Sequence, residues 1–82
     1  MYNQEYNAVF QELFLLPESR LDEALLYHSV ESWDSVGHME LISRLEDVFS
    51  INIDMDDVID FSSYVTGKKI LSKYGVKFDE RN

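Results

Sequence analysis

Apolar residues recur at helical spacing in four segments of the chain, and polar or helix-breaking residues separate the segments. The first segment places Tyr6, Val9, Phe10, Leu13 and Phe14 at i, i+3, i+4, i+7 and i+8. This spacing is typical of one face of an amphipathic helix. It predicts a helix over residues 3–16, with Asn3 as its N-cap and Pro17 as the residue that stops it.

The second segment has the clearest helical pattern and covers residues 35–49. Asp34 or Ser35 supplies the N-cap, and Ser50 ends the helix. Its broad apolar face consists of Val36, Met39, Leu41, Ile42, Leu45, Val48 and Phe49. The pattern therefore predicts a helix that is buried along one side.

Two more helices follow, a short one over residues 55–61 and a longer one over 63–74. Asp54 is the predicted cap of the short helix, and Asp57, three residues later, resembles the second member of a capping box. Ser62 or Ser63 caps the last helix, and Gly75 suits its C-terminal end. The last helix has one shared face, formed by Tyr64, Gly67, Ile70, Leu71 and Tyr74.

The segment between the first two helices, residues 17–33, is a long connection in which Leu21, Leu25 and Leu26 either form one helical turn or pin the loop onto the core. No segment has the pattern of a strand. The predicted fold is all-α, a single domain over 1–82 built as a small four-helix bundle of three main helices and one short helix.

The composition supports a folded, intracellular chain. Of the 82 residues, 45% are hydrophobic and 13% aromatic, which is enough apolar material for one core. The absence of cysteine excludes a disulfide, a thiolate zinc site and a cysteine nucleophile. The N-terminal stretch lacks the pattern of a secretory signal, and Leu13–Leu16 is too short to span a bilayer. We expect a cytoplasmic monomer without membrane insertion.

The formal net charge of −9 is concentrated in the middle of the chain. Residues 33–62 hold eight acidic residues and one Arg. Such a surface is repelled by nucleic acid phosphates and attracted to basic protein surfaces. A solvated acidic face that only keeps the protein soluble is an equally good interpretation of the charge alone.

Three short runs in the second predicted helix carry a family resemblance: Asp34-Ser35, Glu40-Leu41, and Leu45-Glu46-Asp47-Val48-Phe49. Together with the chain length and charge, they resemble the acyl and peptidyl carrier protein family. In that family an Asp-Ser pair opens the second helix, and the serine bears 4'-phosphopantetheine. The resemblance implies that the cofactor is attached at Ser35, with Asp34, Val36 and Gly37 around it. Gly37 leaves an open surface for close approach.

The resemblance implies a carrier without catalysis of its own. A phosphopantetheinyl transferase would move the arm from coenzyme A to Ser35 and make the chain a phosphoprotein. The arm would receive acyl or aminoacyl cargo as a thioester from a loading enzyme. It would then deliver the cargo to a downstream acyltransferase or synthase. Fatty acid, polyketide and polysaccharide biosynthesis are the candidate pathways. Trp33, the Gly37-His38 pair and the Lys68-Lys69 segment favour a specialised one.

The same resemblance implies a surface that recognises partner enzymes. For Trp33, covering the edge of the core is an equally good prediction. The predicted surface consists of Trp33, His38, Met39, Glu40, Glu46, Asp47, Asp56, Asp57 and Asp60. The aromatic residues of the predicted core favour short or polar cargo that stays exposed to solvent.

The same residues are open to three other interpretations. A serine hydrolase would use Ser35-Val36-Gly37, but Trp33 replaces the preceding glycine and only His28 or His38 could act as base. A calcium loop over 52–63 lacks the required glycine and terminal glutamate, so no metal site is predicted. The remaining rival is an acidic helical interaction module that is never modified.

Overall fold

Four α-helices make up the regular structure of residues 2–78, the part of the chain that the computed structural model describes. They are α1 (Tyr2–Phe14), α2 (Ser35–Phe49), α3 (Met55–Asp60) and α4 (Tyr64–Ser72), with a short 3-10 turn at Glu18–Arg20. Within the described residues no strand forms, and one antiparallel bridge joins Leu26 to Ser63. The all-helical prediction is therefore confirmed. None of the helices within 2–78 combines the length and apolarity needed to cross a bilayer.

The first helix ends earlier than the sequence predicts. Leu15 adopts a left-handed conformation, with φ of 56°, and the Leu16 N–H donates to the Gln11 carbonyl at 3.3 Å. These two features are a helix-terminating motif that glycine usually provides. The chain therefore leaves the helix before it reaches Pro17. Asn3 lies inside α1 rather than at its cap, so that prediction was wrong.

The second helix has the predicted bounds, and both of its ends are capped. The Asp34 carboxylate accepts the Gly37 N–H at 2.8 Å, which satisfies one of the unpaired donors of the first turn. At the other end, Ser50 is left-handed and the Ile51 N–H donates to the Glu46 carbonyl at 3.1 Å. Asp34, and not Ser35, is therefore the N-cap.

The caps of α3 and α4 differ from each other. Asp54 precedes α3, but its side chain accepts no capping hydrogen bond, and Asp57 makes contacts elsewhere, so the predicted capping box does not form. Ser63 caps α4, where its Oγ accepts the Thr66 N–H at 2.9 Å. Gly75 has φ of +92°, a conformation that glycine adopts without strain, and it ends the turns that follow α4.

An aromatic cluster fills the space between α1, α2 and the long connection. The Trp33 indole stacks on Phe14 with centroids 5.4 Å apart and meets Phe10 edge-on at 5.5 Å. Fully or almost fully buried around it are Tyr6, Val9, Leu25, Leu41, Leu45, Phe61 and Leu71. The rings of the cluster therefore meet at edge-to-face or stacked angles, the favoured geometries for aromatic pairs, and aliphatic side chains fill the space around them.

The long connection is held on the bundle by backbone pairing and by one leucine. The Tyr27 N–H donates to the Ser62 carbonyl at 2.8 Å, and the Tyr64 N–H donates to the Leu25 carbonyl at 2.9 Å. Leu25 is buried, whereas Leu26 is exposed. The leucines therefore do not form a helical turn. Leu25 pins the loop onto the core, and this brings residues 25–27 next to the start of α4.

Gly67 allows α4 to lie directly on two buried rings. A Cβ atom at this position would lie 2.2 Å from Phe61 Cζ and 2.3 Å from the Tyr6 hydroxyl oxygen. Tyr6 and Phe61 are almost completely buried, so neither ring has room to move away. The packing of α4 therefore depends on the absence of a side chain at residue 67.

We expect Gly67→Ala to lower the free energy of unfolding by about 1–3 kcal/mol, since overpacking of a dense core costs that much. Denaturant unfolding followed by circular dichroism measures the change. Lys69→Ala on the exposed side of α4 is the matched control, for which a change within about 0.5 kcal/mol is expected. An equally stable Gly67→Ala variant would show that α4 packs less closely than described.

Candidate functional site

Ser35 is the first residue of α2, and its side chain is exposed. The helix does not use the Ser35 hydroxyl as its cap, because the preceding Asp34 carboxylate accepts the Gly37 N–H and the Asp34 carbonyl accepts the His38 N–H at 2.7 Å. The positive end of the helix dipole lies at this position. The sequence therefore presents a hydroxyl to solvent at a helix N-terminus.

Beside Ser35 lies an open groove between the start of α2 and α3, here called the Ser35 groove, with a volume of about 340 Å³. Met39, Met55 and Ile59 are each at least half exposed along it, at 52%, 66% and 71%. None of the lining residues is a carboxylate, lysine or arginine. The lining is Tyr27, Ser35, His38, Met39, Met55, Val58, Ile59, Phe61 and Ser62.

His38 lies at the base of the Ser35 groove and uses both ring nitrogens. Trp33 Nε1 donates to His38 Nδ1 at 3.0 Å, and His38 Nε2 lies 2.8 Å from the Val58 carbonyl oxygen. Because an indole N–H can only donate, Nδ1 must accept, so the proton of the neutral imidazole is on Nε2 and is donated to Val58. His38 therefore joins the long connection, α2 and α3.

The His38 side chain is half-buried and both of its ring nitrogens bond inside the fold, while the ring also lines the Ser35 groove, so its predicted contact with a partner stays a prediction. The two hydrogen bonds also remove His38 as the base of the hydrolase interpretation. A general base needs a free nitrogen within reach of the serine hydroxyl. Both nitrogens of His38 already have partners inside the fold.

Trp33 is fully buried, so the prediction that it contacts a partner was wrong and the alternative that it covers the core is the correct one. Gly37 also has a different role from the predicted one. It is buried, and a Cβ atom there would lie 2.1 Å from the Ser32 carbonyl oxygen and 3.3 Å from Phe14 Cε1. The missing side chain makes room for the interior, whereas the solvent-facing neighbour of Ser35 is Val36, which is 69% exposed.

The predicted acidic surface divides into exposed and internally bonded carboxylates. Glu46 Oε2 accepts the Ile53 N–H at 2.8 Å and holds the segment after α2. Asp57 is nearly buried and accepts hydrogen bonds from Lys73 Nζ and the Tyr74 hydroxyl, both at 2.5 Å. Asp57 is therefore engaged inside the fold, and Glu46 has one oxygen in an internal hydrogen bond. The predicted acids that remain exposed are Glu40, Asp47, Asp56 and Asp60.

The hydrogen bond from Lys73, followed by that from Tyr74, lowers the pKa of the Asp57 carboxyl below its ordinary value of 3.8. The same contacts raise the pKa of Lys73 and of Tyr74. Asp57 therefore ties α3 to the end of α4, a contact between residues 16 positions apart.

Sequence reasoning missed Tyr27, Met55 and Ile59 as lining of the Ser35 groove. Met55 and Ile59 are four residues apart on the acid-rich α3, and this apolar pair was a usable signal. Tyr27 gave no such signal because the bridge between the long connection and the start of α4 positions it.

Comparison of the chain with protein-family models, with curated proteins and with solved structures finds no match. Among residues 2–78, no group of three or more His, Asp or Glu side chains is placed to hold a metal ion.

We expect His38→Phe to lower the free energy of unfolding by about 1–3 kcal/mol, because the buried Trp33 N–H loses its acceptor and the Val58 carbonyl its donor. His38→Gln is expected to lower the free energy of unfolding less than His38→Phe, since an amide offers both an acceptor and donors. Urea unfolding followed by the fluorescence of Trp33, the one tryptophan of the chain, measures both variants. A His38→Phe variant as stable as the parent would contradict the assigned bridge.

The Asp57 contacts predict a pH-dependent contribution to stability. Since the folded-state pKa lies below the unfolded value, the contribution is present above the unfolded pKa and is lost as the pH falls through the folded one. We expect Asp57→Asn to be less stable than the parent near neutral pH, and the difference to shrink below about pH 4. Unfolding curves over this pH range test it.

Asp56→Asn is the control for Asp57→Asn, because Asp56 is the exposed neighbour on the same helix turn. Its stability should follow that of the parent at every pH. A difference between Asp57→Asn and the parent that stays constant down to the lowest pH would show that the carboxylate charge is not the source of the effect.

Proposed function

We propose that the chain is a non-catalytic carrier protein with an acyl-carrier-type bundle, in which Ser35 bears a 4'-phosphopantetheine arm derived from coenzyme A. The observation that carries the proposal is the exposure of the Ser35 hydroxyl at the first position of α2, beside an apolar groove. This position is where the resemblance to carrier proteins requires an accessible serine.

The local geometry is compatible with a phosphodiester on Ser35. Backbone N–H groups and the positive end of a helix dipole favour an anionic group at a helix N-terminus by about 0.3–1 kcal/mol when it is exposed. Modification leaves the cap intact, because Asp34 supplies the capping carboxylate. Esterification of the Ser35 hydroxyl therefore removes no interaction that starts the helix.

The arm would supply the chemistry that the chain lacks. With no cysteine in the sequence, a thioester requires a thiol from outside, and the pantetheine end provides one. The carrier would receive an acyl or aminoacyl group from a loading enzyme and present it to an acyltransferase or synthase. A tether of this kind replaces free diffusion by a high effective concentration. A specialised biosynthetic pathway remains our preferred setting.

Glu40, Asp47, Asp56 and Asp60 are the proposed contacts to the transferase and the other enzymes, with Met39 as an apolar contact next to Ser35. Each exposed ion pair contributes about 0–1 kcal/mol. Several such pairs accelerate encounter with a basic surface and still permit rapid release. A carrier that visits several enzymes in turn needs this combination.

We expect incubation with a broad-specificity phosphopantetheinyl transferase, magnesium and coenzyme A to add the mass of one arm to the intact chain. Ser35→Ala should abolish the gain, because it removes the accepting hydroxyl. Mass spectrometry of the intact protein is the measurement. Ser43→Ala, which changes an exposed serine on the same helix, is the matched control and should be modified like the parent.

The proposal would be contradicted if the parent chain gained no mass while a known carrier was modified in the same reaction. The unmodified acidic interaction module would then be the better interpretation. A gain that survives Ser35→Ala would place the modification on another residue and contradict the assignment of the site.

A further inference from the structure

The boundary between the Ser35 groove and the core is closed by aromatic rings with His38 at their centre. The His38 ring lies nearly parallel to Trp33, with centroids 6.2 Å apart and an interplanar angle of 17°. It meets Tyr27 edge-on at 5.3 Å and Phe61 edge-on at 6.0 Å. His38 therefore lies between the Ser35 groove and the buried Trp33 indole, together with Tyr27, which meets Trp33 edge-on at 6.4 Å.

His38 cannot easily move aside, because its two hydrogen bonds connect separate parts of the fold. The bond to Val58 ties α2 to α3 across the base of the groove, and the bond from Trp33 ties the ring to the long connection. Displacing the imidazole would leave the fully buried Trp33 N–H without an acceptor, which costs about 1–3 kcal/mol. Behind His38, the indole packs on Phe14 and Phe10.

The groove side of this boundary suits an uncharged apolar occupant. In a chain with 16 acidic residues, the lining of the groove contains no carboxylate, and His38 is neutral in the observed hydrogen-bonding pattern. Met39 and Met55 have flexible thioether side chains, which adapt to apolar groups of different shape. Ser35 is part of the lining, so a group tethered there reaches the groove without crossing charged surface.

We infer that His38 is a specificity-determining residue: its bonds to Trp33 and Val58 confine an apolar chain carried at residue 35 to the surface groove and exclude it from the core. The inference rests on the proposed function for its biological cargo. The closing of the groove by His38 is a property of the fold that can be tested without the transferase.

The test uses Ser35→Cys, which introduces the one thiol of the chain, coupled to dodecyl methanethiosulfonate. The thiolate attacks the sulfenyl sulfur, a disulfide to the dodecyl thiol forms, and methanesulfinate leaves. In the parent background we expect the methyl NMR signals of Met39, Met55 and Ile59 to shift. The indole N–H signal of Trp33 should stay unchanged.

His38→Ala in the same labelled chain should remove the barrier, so that the Trp33 indole signal shifts or is lost when the dodecyl group is attached. His38→Gln, which retains an acceptor and a donor, should keep the Trp33 signal unchanged and remains informative where His38→Ala does not fold. Ser43→Cys with the same label is the matched control, since residue 43 does not line the groove, and it should leave the three groove methyl signals in place.

The inference would be overturned if attachment of the dodecyl group shifted the Trp33 indole signal while His38 is still present. It would also be overturned if the methyl signals of the groove stayed unchanged when the chain is attached. Self-association of the labelled protein in sedimentation, with groove signals that change only in the dimer, would instead assign the groove to a second copy and also overturn it. Because residue 35 is labelled chemically, these outcomes are independent of whether a transferase modifies Ser35.

Discussion

The structure around the candidate site depends on the burial of one indole. Trp33 has no accessible surface, and a buried N–H requires an acceptor. His38 Nδ1 is that acceptor, which determines the tautomer and directs the Nε2 proton to the Val58 carbonyl. Through His38, this one buried side chain therefore connects the long connection, the start of α2 and α3. Ser35 and its groove lie on top of this arrangement.

Two glycines make the aromatic packing possible by omitting a side chain inside a helix. Each costs the helix about 1 kcal/mol relative to alanine. Gly37 admits the Ser32 carbonyl and the Phe14 ring, and Gly67 admits the rings of Tyr6 and Phe61. The loss in helix propensity is offset by the burial of large rings at close distance. The helix of the candidate site, α2, and the helix α4 therefore depend on long-range packing more than on the helix propensity of their own residues.

The amino-acid pattern predicts the helices well and the fate of single polar residues poorly. Periodicity located α2 with its observed bounds because the whole apolar face is local information. The end of α1 was missed because Leu15, and not a glycine, takes the left-handed position. The exposure of Ser35 agrees with the resemblance, whereas the role of His38 could not be predicted. Its partner Val58 is 20 residues away, and no local pattern reports such a contact.

The division of the acidic residues into exposed and internally bonded carboxylates also arises from contacts between residues that are distant in sequence. Glu46 and Asp57 look like their exposed neighbours in the sequence, and only tertiary contacts to Ile53 and Lys73 make them structural. Changes at Glu46 and Asp57 are therefore expected to lower stability, while changes at the exposed carboxylates should leave the fold intact and, under the proposed function, slow the encounter with a partner. The face around Ser35 can therefore change its charge pattern without loss of the fold.

The same separation of roles applies to the serine itself. A serine that capped its own helix would lose that hydrogen bond when its oxygen became an ester. Here the carboxylate of Asp34 caps the helix, so the Ser35 oxygen has no capping role. The Asp-Ser order thus has a physical reason beyond resemblance, since the first residue stabilises the helix start and leaves the second available for chemistry. Under the proposed function, a group tethered at Ser35 would also meet an apolar surface at once, because the exposed Val36 follows.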